Sequence, residues 1–151
     1  MTPLASTDAY QVVLFIHILA AVASFGYLFV LPVQLAGVAK TSGEQRSLLL
    51  APIQLALRLS VGIGLLVLIS AIYLVQEGPG FKAHWVSGAF VLYFVLYGTL
   101  GAGLSLQMKR LAADPDGPKA KKRVRALFCW NIAAICWVFA LLTMMIAQPG
   151  A

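Results

Sequence analysis

The sequence predicts an all-α membrane protein, a single domain of four transmembrane helices in an up-down bundle. Three observations predict it. The chain of 151 residues is 61% hydrophobic and only 11% charged, against about 25% charge in an ordinary soluble domain. Its charges gather in short segments between long apolar runs, the pattern of spans and loops. Breakers such as Gly78-Pro79-Gly80 and Asp114-Pro115-Asp116-Gly117-Pro118 separate those runs.

Helix one is expected over about 8–39, with Ser6 or Thr7 as its cap. Its strongest part runs to Leu31, where Pro32 introduces a kink. Ala21-Val22-Ala23 looks like a signal-peptidase site, but no Lys or Arg precedes it and the apolar run continues to Leu35. The helix is therefore expected to be retained. A polar loop from Lys40 to Arg46 leads to helix two, about 47–77, with Ser47 or Pro52 in its first turn. Helix three covers about 82–111 and helix four about 119–148. Short connections make consecutive helices antiparallel neighbours. No internal repeat supports a reading as two tandem hairpins.

The formal charge of +6 does not indicate nucleic acid, because the cations abut apolar spans and no aromatic or glycine pattern for RNA or DNA accompanies them. Anionic lipid headgroups are their nearest partners, above all at the run from Lys119 to Arg125. Ten of the cations lie in or beside the first and third loops, and only Lys82 lies on the other side. Those loops are thus expected in the cytoplasm and both termini in the periplasm. Cys129 and Cys136 are seven residues apart, about 10 Å along a helix and too far for a disulfide. They read as free thiols buried on one helix face.

Ionisable residues within a membrane are functional candidates by default, and here they are His17, His84 and Arg58. No Asp or Glu falls inside a span, which counts against a carboxylate-based proton pump or cation transporter. His17 shares a helix face with Ala20, Ala21 and Ser24, a groove of small side chains below an imidazole. His84 opens helix three above Ser87 and Gly88. Two imidazoles facing one another across a four-helix bundle suit haem b, and imidazole also suits copper or zinc. The structural alternative makes His17 a helix-helix hydrogen-bonding residue and His84 a member of the interfacial aromatic belt. Arg58 snorkels to the inner headgroups or binds an anion such as a propionate or phosphate.

Small-residue pairs, including Ala20 with Ser24 and Ser60 with Gly64, have helix-packing spacing. The cluster Gly98, Gly101 and Gly103 is expected at the tightest crossing of helix three. Tyr93 with Tyr97 and Trp130 with Trp137 read as packing or lipid contacts, and Asn131 as an interhelical hydrogen bonder or an interface residue.

The stretch from Phe15 through His17 to Gly26 resembles small bacterial four-helix proteins related to the copper-resistance CopD group. The run from Gly62 to Tyr73-Leu74, followed by Trp85 and by Lys109-Arg110, resembles a bacterial family known only as predicted integral membrane proteins. The resemblance implies a location in the bacterial inner membrane. The haem-associated protoporphyrinogen oxidase HemJ shares the helix-one histidine, but its arginine soon after the helix-one glycine is absent here, where Leu31-Pro32 stands. Its activity is not carried over.

The leading expectation is a non-enzymatic accessory or ligand-binding subunit, in a homo-oligomer or a membrane complex, with haem b or copper near His17. A membrane-bound haem-dependent oxidoreductase and a small oligomeric transporter are the alternatives. No nucleophile-base pair or metal motif supports an enzyme.

Overall fold

The computed structural model describes residues 3–78 and 80–147, with side chains from Asp8 onward. All regular structure among them is helical. Four rods are present. The first joins α1 (Pro3–Phe25) to α2 (Tyr27–Lys40), and the second is α3 (Gly43–Glu77). The third runs from α4 (His84–Gly98) through a π-helical segment (Thr99–Ser105) into α5 (Leu106–Ala113), and the fourth is α6 (Ala120–Ala147). Each contains a helix long and apolar enough to cross a membrane, with mean hydropathy between 1.7 and 2.3.

Cross-rod contacts establish the antiparallel order. His17 meets Ser70 while Ser24 meets Ser60, so position falls on α3 as it rises on α1. Tyr93 with Gly64 and Gln54 with Met108 run the same way between rods two and three. Gly88 by Met144 and Gly103 by Trp130 do so between rods three and four. Asn131 reaches Leu28 and closes the ring from the fourth rod to the first.

Several boundaries move. α1 starts at Pro3, so Ser6 and Thr7 lie within it instead of capping it. The break in the first rod falls at Gly26, not at Pro32. A Cβ at Gly26 would stand 2.5 Å from the Val22 carbonyl oxygen, so only glycine tolerates that bend. Pro32 remains inside α2. Its missing N–H leaves the Leu28 carbonyl without its helical donor, and the buried Asn131 Nδ2 donates to that carbonyl at 3.2 Å. Pro52 is likewise inside α3, which starts at Gly43 with a φ of 60°. The Gly43 N–H donates to the Asp116 carboxylate at 2.6 Å. The third rod begins at His84, leaving Lys82 in the preceding turn. Pro79 of the expected breaker, Gln148 and Ala151 lie outside the described residues.

The core is unevenly distributed along the bundle. Leu31, Leu35, Leu96, Leu100, Leu104 and Leu127 are all fully enclosed. Apart from Leu96, near the middle of its rod, they and the other large, fully buried side chains belong to the half next to the 41–42 and 114–119 connections. The outward faces of the rods are apolar, with Ile69 65% and Val33 74% exposed. Both thiols are also exposed, which corrects their expected burial. Alternating inward and outward faces placed them on the surface of α6.

The glycine cluster behaves differently from its expectation. A Cβ at Gly98 or Gly101 would meet nothing within 4 Å. Gly103 alone of the three faces a neighbour, since a Cβ there would stand 2.6 Å from the Trp130 ring. The Ser60 and Gly64 pair does mark a close approach, since a Cβ at Gly64 would lie 2.9 Å from Tyr97.

Candidate functional site

At the end of the bundle that holds the 78–83 connection, the rods separate into two pairs. α1 packs chiefly on α3, and α4 packs on α6. Ala20 and Ser24 allow the first approach, where each of Ser24 and Ser60 donates its hydroxyl to the other's carbonyl. Gly88 allows the second, lying against the end of Met144. Between the pairs is a cavity of about 500 Å³ lined by all four rods, within the usual range of roughly 300–1,000 Å³ for small-molecule sites.

The cavity wall is almost wholly apolar. Ala21, Ala71 and Ala89 keep it open, while Phe25, Leu74 and Leu141 shape it. Its polar atoms come from His17, Tyr10, Trp85 and Tyr93. Tyr93 is already committed, since its hydroxyl donates to the Gly64 carbonyl at 2.6 Å. The Leu-packed half of the bundle lies beneath.

His17 is half-buried in this wall, with Nδ1 2.9 Å from Ser70 Oγ. Ser70 Oγ in turn lies 2.7 Å from the Leu66 carbonyl and 3.0 Å from that of Val67. The histidine is therefore paired with the neighbouring helix, as its structural reading expects, and it also lines the cavity. Of the small residues on its face, Ala21 borders the cavity, while Ala20 and Ser24 are buried against α3.

The other candidates stand apart. His84 is exposed at the start of α4 and is not part of the cavity wall. Arg58 is exposed twelve residues before Ser70, about 18 Å along α3. It borders a shallow cleft with Gln54, Ser105, Met108 and Lys109. The wall thus offers one imidazole and no Lys or Arg. That donor set does not fit a bis-histidine haem b with its two propionates inside the cavity. Nor does it fit copper, since no cluster of three or more His, Cys, Asp or Glu occurs among the described residues.

Three polar arrangements depend on contacts between rods. Arg46, counted by sequence among the loop cations, is 9% exposed and ties the two basic connections together. A cation in the first turn of a helix opposes the dipole, which was the available signal that it served another purpose. Asn131 was recognised as a possible cross-helix donor, but its link to the carbonyl freed by Pro32 depends on which rods adjoin. Its Oδ1 is buried with no partner among the described residues. Tyr93 and Tyr97 stack at 5.7 Å and cap two α3 carbonyls.

No family model, curated protein or solved structure matches the chain.

Proposed function

We propose that this chain is a multi-pass membrane protein that binds a lipophilic small molecule beside His17, acting as a ligand-binding or accessory subunit. The cavity of about 500 Å³ between the two helix pairs carries this reading. Apolar walls favour an apolar occupant, and a few polar groups, His17 among them, orient it. The exposed apolar faces, including Phe15 at 67% and Ile132 at 58%, support a lipid environment, because soluble monomers rarely present such continuous patches.

The cation distribution supports an orientation with the 41–42 and 114–119 connections in the cytoplasm and the cavity in the outer half. Lys119, Lys121, Lys122 and Arg125 are exposed on that inner side, available to anionic headgroups. Reporter fusions within the 114–119 connection and after Ala151 are expected to give cytoplasmic and periplasmic signals respectively. The reverse pattern would turn the protein over in the bilayer.

Ligand binding is testable with the full chain in nanodiscs and 1-bromododecane as the probe. With Trp130→Phe and Trp137→Phe in place, Trp85 is the remaining indole, and it lines the cavity. Bromine in the cavity is expected to quench it. Ala71→Phe, which fills the cavity, is expected to weaken the apparent affinity by at least tenfold, about 1.4 kcal/mol. Quenching that is unaffected by Ala71→Phe would mean that the probe reaches Trp85 from the bilayer, and the cavity reading would fall.

A further inference from the structure

The surroundings of Ser70 favour one tautomer of His17. A serine hydroxyl has one hydrogen and two lone pairs. Ser70 Oγ stands 2.7 Å from the Leu66 carbonyl oxygen and 3.0 Å from that of Val67. A carbonyl only accepts, so the Ser70 hydrogen is used in that direction. The contact from Ser70 Oγ to His17 Nδ1, at 2.9 Å, is then best met by an N–H donated by the histidine. In the neutral imidazole this leaves Nε2 as a bare acceptor. The side-chain hydrogen bond of His17 runs through Nδ1, and the Val67 carbonyl, which also approaches the imidazole, can only accept from it. Nε2 is not among the enclosed, unsatisfied atoms of the described residues, and His17 is a lining residue of the cavity.

We infer that the cavity takes a lipophilic alcohol or phenol whose hydroxyl donates to Nε2 of His17. The inference rests on the cavity reading above and adds the chemistry of the ligand's polar end. An apolar body suits the alanine, leucine and phenylalanine walls. A carbonyl end does not suit Nε2, because two acceptors would face each other. A methyl ether likewise has no hydrogen to give and leaves Nε2 unpaired, which is costly in an apolar setting. Tyr93 does not change this selection, because its own hydrogen goes to Gly64. Ser70 is a positioning residue here, acting through the imidazole.

The test is displacement of 1-bromododecane from the Trp85-only protein in nanodiscs, read as recovery of fluorescence. The competitors are 4-nonylphenol and 4-nonylanisole, the same molecule with its hydroxyl methylated. After correction for partitioning into lipid, the phenol is expected to displace the probe at about one-tenth the concentration the ether needs. His17→Phe keeps a ring in the wall and is expected to bring the two competitors to equal potency. Ser70→Ala, which keeps the imidazole but releases its tautomer, is expected to reduce the preference. Equal potency in the unsubstituted chain, a preference for the ether, or a phenol preference that survives His17→Phe would each overturn the inference while leaving the cavity reading intact. Failure of 1-bromododecane to quench Trp85 would overturn both.

Discussion

Arg46→Ala is expected to destabilise the protein by about 3 kcal/mol, from the loss of hydrogen bonds to a largely buried charged group. In a chain of this length that is a fall in melting temperature on the order of 10 °C. The guanidinium Nε donates to the Val38 carbonyl at 3.3 Å, and Nη1 donates to the Pro115 carbonyl at 2.6 Å and to Asp116 at 3.0 Å. Nη2 donates to the Thr41 carbonyl. Val38 belongs to the last turn of α2 and Thr41 follows that helix. Carbonyls there lack helical donors and carry the negative end of the dipole, so one cation satisfies several groups at once. Asp116 completes the arrangement by accepting from the Gly43 N–H. Arg46→Lys is expected to recover little, since an ammonium cannot present a planar fork in several directions. Arg125→Ala, an exposed change, is expected to stay within about 0.5 kcal/mol. Melting curves of the three variants in one detergent decide the matter, and a native-like Arg46→Ala curve would show that the two connections hold without the clamp.

Leu100→Ala is expected to cost about 2–5 kcal/mol, the range for truncating an enclosed leucine. Leu100 is 0% exposed and belongs to the same buried core cluster as Leu96, Leu104 and the leucines of α2. Gly98→Leu and Gly101→Leu are expected to change the melting temperature little, because their Cβ positions open onto empty space. Gly64→Leu is expected to behave like Leu100→Ala, because it would displace Tyr97 and Tyr93 from the α3 carbonyls they cap. The order is the reverse of what glycine density alone predicts. A melt in which Gly98→Leu is as damaging as Leu100→Ala would restore the tight crossing at those glycines.

These two cases show how far the sequence reaches. Glycine density is visible in one dimension, but which side of a rod each glycine occupies depends on rotation, and the π-helical segment changes that rotation within seven residues. Arg46 was visible as a cation near a loop. Its burial required the 41–42 and 114–119 connections to meet, which is a contact over about seventy positions of sequence.

His17 was singled out by an imidazole within an apolar run and small neighbours at helical spacing, both local properties. The four long apolar rods were equally local, because hydrophobic runs and Gly-Pro breaks are properties of adjacent residues. The side with more Lys and Arg was countable in the same way. Tertiary structure decided what the histidine faces. Ser70 stands 53 positions away, and its meeting with His17 follows from antiparallel pairing at one particular depth. It separated His84 and Arg58 from that site, because helix rotation and axial rise place them on other surfaces. It also created the cavity, since small residues draw α1 to α3 and α4 to α6 at one end while the leucines close the other. A void is defined by where several helices fail to touch, and no single stretch of chain encodes that.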